Sequence, residues 1–320
     1  MHDLKAEFES RYHYYPQHIF FSPGRVNLIG EHIDYNGGRV LPCAVSLGTY
    51  VAVGRNNTDQ FRFQGLNFPE TAEIPIARSY NRKGTAWFNY PLGVINEVTQ
   101  RGNSIGGLDM LFYGNLPIGA GLSSSASIEV LTAYAITELF NLGYKRLDLA
   151  VMSKKVENEF MGMNCGIMDQ FAVTFGETDR AILLNCDTLV YELLPFQLKD
   201  YSLVIINTNK SRKLTDSKYN ERFAECQQAL SILQRQLQVN FLCDISPEVF
   251  EKYKDSLDPV LQKRATHVIY ENERVGRAAG LLQANDLEGF GQLMYASHDS
   301  LRTLYEVSGK ELDTIVDFAG

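Results

Sequence analysis

The spacing of apolar residues changes several times along the chain, and each change marks a predicted element. Residues 1–15 are polar with a helical repeat and predict a short amphipathic helix. The runs IFFS, RVNLI, GTYVAVGR, QFRFQGL and TAEIPI then read as strands separated by polar turns. Residues 86–100, containing WFNYPLGVINEVTQ, predict a helix, and GLDMLFYGN alternates as a strand. A long helix follows over SIEVLTAYAITELFNLG, stopped by Gly143. A second long helix is expected over RLDLAVMSKKVENEFMG, and then a short apolar segment, CGIMDQFAVTFG, with one acid in it. RAILLNCDT, LVYELLPF and YSLVIINTN predict three more strands. The remainder is mostly helical, over DSKYNERFAECQQALSILQRQL, PVLQKRATHVIYENERVGRAAGLLQAN, LEGFGQLMYASHDSLRTLYE and GKELDTIVDFAG. No repeat or low-complexity linker interrupts the series. The division into domains is placed near residues 176–200, giving 1–185 and 186–320.

The stretch joining GLDMLFYGN to the long helix is NLPIGAGLSSSAS, residues 115–127. Strand, glycine turn and helix in that order bring bare backbone N–H groups to a helix N-terminus, where partial positive charge and orphan donors attract phosphate. Gly119 and Gly121 let the backbone approach an anion closely. The three serines add hydroxyl donors, one of which can ligate a magnesium ion. A merely capped turn is the plainer alternative, since serine is a good N-cap. No GK[ST] ends the loop, so it is not the Walker pattern.

Composition narrows the field. The chain has 320 residues, 45% hydrophobic and 21% charged, enough for two domains of a globular enzyme. A net charge of -8 with no basic run argues against a nucleic-acid partner. No apolar stretch is long enough to span a membrane, and the N-terminus lacks a signal-peptide pattern. The five cysteines, with no CxxC, are expected to be reduced thiols in the cytoplasm.

Between Pro23 and Pro42 lie Arg25, Asn27, Glu31, His32, Asp34, Tyr35, Asn36 and Arg39 among four glycines. A strand that breaks into GEHIDYNGG cannot bury that segment, and loops at strand ends are where sites sit. Two carboxylates and an imidazole within four positions can hold several hydroxyls, as sugar sites do through charge-assisted hydrogen bonds. Asp169, flanked by Met168 in CGIMDQF, is either a buried helix cap or a functional acid. Glu157 and Glu159 lie on the preceding predicted helix, and Glu159 is read as solvated.

SPGRVNLIGEHIDYNGGRVLPCA resembles the galactokinase signature. LPIGAGLSSSAS is similar to the second motif of the GHMP kinases, the superfamily of galactokinase, homoserine kinase, mevalonate kinase and phosphomevalonate kinase. GMNCGIMDQF resembles the galactokinase segment that carries the catalytic aspartate. The resemblance implies an ATP-dependent sugar kinase acting on the C1 hydroxyl of galactose. Asp169 would accept the hydroxyl proton. Arg25 beside it would keep that carboxylate ionised and steady the transferring phosphoryl group. Glu31, His32, Asp34, Gly166, Asp169 and Tyr219 match the galactose contacts. The loop Gly119, Ala120, Gly121, Leu122, Ser123, Ser124 and Ser125 would cradle the ATP phosphates, with Trp87 and Tyr90 lining the adenine pocket; core packing is the alternative for those two aromatics. Ser125 and Glu157 match the ligands of Mg2+. The implied fold is α+β in two domains, the first ribosomal protein S5 domain 2-like and the second ferredoxin-like, and a monomer is expected. The family's third glycine-rich motif has no counterpart, so the chain reads as shortened relative to the family and its second domain as incomplete. Two other functions resemble the same motifs: a catalytically silent sensor of galactose and ATP, and a kinase for a related sugar such as N-acetylgalactosamine. The intact serine loop, Arg25 and Asp169 favour the enzyme.

Overall fold

The computed structural model describes residues 3–117, 119–209 and 215–320. These form two compact units: residues 1–26 with 44–176, and residues 27–43 with 177–320. The division expected from the sequence differs in two ways. The sequence placed the boundary at 185, and it left the GEHIDYNGG segment with the first domain, whereas that segment is counted with the second unit.

The first unit is built on a five-stranded sheet, with β1 (His18–Asn27), β3 (Pro42–Arg55), β4 (Gln60–Gly65), β5 (Ala72–Pro75) and β6 (Leu108–Gly114) ordered β1-β3-β6-β4-β5. β2 (Arg39–Val40) belongs to the other sheet. β3 and β6 run antiparallel, with Val51 opposite Phe112, Ala52 opposite Leu111 and Val53 opposite Met110. Because side chains alternate across a sheet, Val51, Val53, Met110 and Phe112 bury into one core. Ala52 and Leu111 bury on the other face, against Leu4, Phe8 and Tyr12 of helix α1 (Leu4–Tyr12). The larger core is closed by α2 (Asn89–Gln100), α3 (Ser124–Phe140) and α4 (Arg146–Lys155), through residues such as Leu92, Ile95, Leu131, Ile136 and Met152. Each such side chain, fully withdrawn from water, contributes about 1.5–3 kcal/mol. α5 (Met168–Phe175) completes the unit and packs Val173 against Ala126 and Val130.

The second unit has a three-stranded antiparallel sheet, ordered β2-β7-β8, with β7 (Arg180–Asn185) and β8 (Tyr191–Pro195). Its helices are α6 (Thr215–Leu233), α7 (Pro247–Tyr253), α8 (Pro259–Gln283), α9 (Leu287–Ser300) and α10 (Lys310–Ala319). α8 carries Leu261, Ala265, Val268, Ile269, Val275 and Leu282 on its buried stripe, the spacing of an amphipathic helix.

Three predicted elements come out differently. The helix expected from residue 86 begins at Asn89, so Trp87 precedes it. The second long helix gives way after Lys155 to one π-turn, Val156–Phe160, a rare feature that recurs at functional sites. The third strand of the C-terminal set, YSLVIINTN, is irregular over 201–209, with Tyr201 62% and Val204 72% exposed. A strand is held by its ladder, and β-branched residues without a neighbouring strand have no bonds to fix them.

Candidate active site

The glycine-serine loop of the first unit leaves β6 and enters α3. Gly119 (φ +74°), Gly121 (φ +78°) and Ser123 (φ +56°) all take the left-handed conformation, which coils the backbone tightly. A Cβ on Gly119 would meet nothing within 4 Å, so its requirement is conformational. Gly24 differs: a Cβ there would lie 2.6 Å from the Leu122 carbonyl, so glycine lets β1 lie against the loop. The Arg25 N–H donates to that same carbonyl at 3.2 Å. The N-cap residue Ser123 makes no side-chain bond to the start of α3, so the first N–H groups lack that partner.

Asp169 sits in the first turn of α5 and does not cap it. Its Oδ1 accepts from Arg25 Nε at 2.8 Å and lies 2.6 Å from Nη2. Its Oδ2 accepts from the Ser123 hydroxyl at 2.6 Å. Arg25 Nη1 donates to the Gly121 carbonyl at 2.6 Å. One guanidinium thus ties the aspartate to the loop, while 30% of the Asp169 side chain stays open. Oδ2, with a single partner, keeps lone-pair capacity to accept a proton.

Glu157 lies on the π-turn. Burial, reinforced by the charge of Asp169, pushes its carboxyl up to about 7, against the hydrogen bonds from Ser125 and Gln170. Gln170 Nε2 donates to Glu157 Oε2 at 2.7 Å. Glu129, one turn beyond Ser125 on α3, is fully buried, and neither of its oxygens has a hydrogen-bond partner among the described residues. Burial first, then the charges of Glu157 and Asp169, raises Glu129 well above the usual carboxylate range. Among the described residues no three His, Cys, Asp or Glu side chains form a ready metal cage. The paired Ser125 hydroxyl and Glu157 carboxyl fit Mg2+, which takes one or two protein oxygens and completes its shell with phosphate and water. Excess negative charge around them suits a cation. Glu159 is exposed, as expected.

Of the aromatics expected at the adenine, Trp87 is only 9% exposed. It packs in the core, stacks on Phe68 and donates Nε1–H to the Glu70 carbonyl. That is the core-packing alternative. Tyr90, in the first turn of α2, is half-buried. Gly166 is buried just before α5.

The second unit holds Glu31, His32, Asp34 and Tyr219. Gly30 (φ +105°) and His32 (φ +63°) turn the chain sharply out of β1. Asn27 Nδ2 donates to Glu31 Oε1 at 2.9 Å. His32 Nδ1 meets the Tyr35 hydroxyl at 2.9 Å, which meets Tyr305 at 2.8 Å. The His32 ring lies among Tyr35, Tyr219 and Tyr305. Burial and two neighbouring cation-forming groups, His267 and Arg222, hold it neutral, down to about 3. His267 and Glu271 of α8 bond the backbone of this turn. Sequence reasoning missed both, as it missed Glu129 and Gln170. The signal was present: a histidine and an acid at i and i+4 on the apolar stripe of a helix need buried partners.

The site residues therefore fall into two groups in different units: Arg25, Ser123, Ser125, Glu157 and Asp169 in one, and Glu31, His32, Asp34 and Tyr219 in the other. The galactokinase galactose-binding signature matches residues 6–55, and the N-terminal domain of the GHMP kinases matches 89–177. A galactokinase of Clostridium tetani is 50% identical over 318 residues, 99% of this chain and 81% of the relative. The chain belongs to the galactokinase family. A galactokinase of Enterococcus faecalis is also 50% identical, over 93% of this chain and 78% of its own length. The structure of Lactococcus lactis galactokinase complexed with galactose superposes with a TM-score of 0.95 at 43% identity, covering 99% of this chain and 83% of that one. The mevalonate kinase of Methanococcus jannaschii, 18% identical with a TM-score of 0.60 over 94% of this chain, shares the fold. The α+β class expected from the sequence is thus the fold of this family. No helix among the described residues is long and apolar enough to cross a membrane.

Proposed function

We propose that the protein transfers the γ-phosphoryl group of ATP to the C1 hydroxyl of α-D-galactose, giving galactose 1-phosphate and ADP. The observation that supports this most is the fixing of Asp169 to both Arg25 and Ser123, at the mouth of an uncapped helix whose loop coils through three left-handed residues. Phosphoryl transfer asks the protein chiefly for positioning and charge stabilisation. Loop residues 119–125 hold the phosphates through main-chain N–H groups and the α3 dipole. Asp169 takes the proton of the attacking hydroxyl, and its oxygens keep their orientation because Arg25 and the Ser123 hydroxyl bind one each. The Arg25 guanidinium, held also by the Gly121 carbonyl, offsets charge on the transferring group. Ser125 and Glu157 would hold Mg2+, which when bound neutralises part of the triphosphate charge. We assign the sugar hydroxyls to Glu31, His32, Asp34 and Tyr219. His32, kept neutral, offers the sugar a donor or an acceptor but no charge. Tyr90 meets the adenine.

A coupled ADP-release assay with galactose tests the proposal, and turnover that needs both ATP and galactose is the expected result. Tight binding of both ligands without turnover would make the chain a sensor. Faster turnover with N-acetylgalactosamine in a sugar panel would change the acceptor while keeping the mechanism.

A further inference from the structure

The turn that carries Glu31 and His32 has no regular structure of its own to hold its shape. Its backbone is bonded at two successive residues to one face of α8. The Gly30 N–H donates to Glu271 Oε1 at 3.0 Å. The Glu31 carbonyl accepts from His267 Nε2 at 3.1 Å. His267 and Glu271 are four apart, so they project from the same side of the helix. Both are fully buried and both are braced from α9: Ser300 Oγ lies 2.8 Å from His267 Nδ1, and Ser297 Oγ donates to Glu271 Oε1 at 2.6 Å. Arg274 Nε closes the second oxygen of Glu271 at 2.7 Å. The tautomer of His267 follows from these partners. A carbonyl can only accept, so Nε2 carries the hydrogen and Nδ1 accepts from the Ser300 hydroxyl. Gly30 approaches α8 closely: a Cβ there would lie 3.1 Å from Val275 and 3.0 Å from the Arg39 carbonyl. Beyond the turn, the His32 ring is packed by Tyr305, whose own ring rests 4.9 Å from His32 and 4.5 Å from His267.

We infer that His267 and Glu271 are positioning residues for the sugar: they fix the backbone of residues 30–32 so that Glu31 and His32 present their side chains to the acceptor in one geometry. This rests on the reading of Glu31 and His32 as sugar contacts. Two features distinguish it from ordinary core packing. Besides the braces from Ser300, Ser297 and Arg274, both side chains bond main-chain atoms of the turn on either side of the Gly30–Glu31 peptide. A buried, unpaired carbonyl or N–H is costly, so each bond is strongly selective for the single turn conformation that makes it.

The test uses the full chain with His267→Phe, which keeps a ring but no donor, and His267→Gln, whose amide can reach the carbonyl. Steady-state kinetics give KM for galactose, KM for ATP and kcat. Hydrogen exchange of the 28–33 backbone in sugar-free protein reports the turn directly. His267→Phe is expected to raise KM for galactose by about tenfold, with kcat and KM for ATP within about twofold. It should also speed exchange of the turn amides, and His267→Gln should restore both readouts most of the way. If the Phe variant does not fold, His267→Asn replaces it, its amide being too short to reach. An unchanged galactose KM in the variant lacking the donor, an equal rise in KM for ATP, or failure of Gln to restore the turn would overturn the assignment. Should the wild-type chain not turn over galactose at all, the exchange arm still decides: faster exchange in Phe that Gln reverses upholds the clamp, and unaltered exchange sinks it.

Discussion

His267 makes the second unit acid-sensitive in a way that can be calculated. The ring is fully buried. Desolvation lowers it from 6.5 to about 4, aided by Arg274 and opposed by Glu271 and the Glu31 carbonyl. The groups around it are Ser300 of α9, the Glu31 carbonyl, Glu271 and Arg274 of α8, His32 and the Tyr305 ring. A depressed histidine stabilises the fold fully above its unfolded pKa, because both states are then neutral. As pH falls below 6.5 the unfolded chain takes up a proton that the folded chain refuses until about 4. At 1.36 kcal/mol per unit, the full loss is about 3 kcal/mol, of which about 2 has accrued by pH 5. That is a large share of a typical total of roughly 5–15 kcal/mol. The assay is urea unfolding of wild type and His267→Gln at pH 7 and pH 5, followed by far-UV circular dichroism, to which the helices of both units contribute. Fluorescence of Trp87, the single tryptophan, reports the first unit. Wild type should lose about 2 kcal/mol more than the variant between the two pH values. Carboxylates titrate alike in both proteins and cancel in the comparison. If the two proteins lose the same stability within about 0.5 kcal/mol, the buried-neutral account of His267 is wrong.

Three further outcomes are expected. Asp169→Asn should leave ATP binding nearly intact and cut turnover by about 100- to 10,000-fold; a variant within tenfold of wild type would remove Asp169 from the base role. Ser125→Ala should raise the Mg2+ concentration needed for half-maximal rate by about tenfold, and an unchanged metal titration would take the serine out of the cation site. Glu129→Gln removes a buried carboxyl whose raised pKa makes stability present at low pH and lost as pH rises; its melting temperature should equal wild type in acid and exceed it at pH 8, and a lower value at pH 8 would show that the charge has a partner.

Much of the first unit is legible locally. A period of two along β3 and β6 marks their two buried faces, and the glycine-serine loop between β6 and α3 is readable from residue types as either an anion loop or a capped turn. Asp169 could be narrowed only to cap or functional acid, because its partners Arg25 and Ser123 lie 144 and 46 residues away. The resemblance of three short motifs supplied the substrate class, which composition and periodicity left open. Tertiary structure made the remaining decisions. A helical repeat does not reveal that α4 passes into a π-turn at Glu157, since one extra residue per turn barely disturbs the apolar pattern. YSLVIINTN has the composition of a strand, but a strand is a property of a pair, and no pairing forms over 201–209. His267 and Glu271 look like two polar residues on an amphipathic helix. Their partners are the main-chain atoms of Gly30 and Glu31, more than 230 positions earlier, and main-chain atoms carry no sequence signature. Side-chain type and spacing thus determined which segments could be helix, strand or anion loop; which buried polar atoms meet was decided only when the folded chain brought distant segments together.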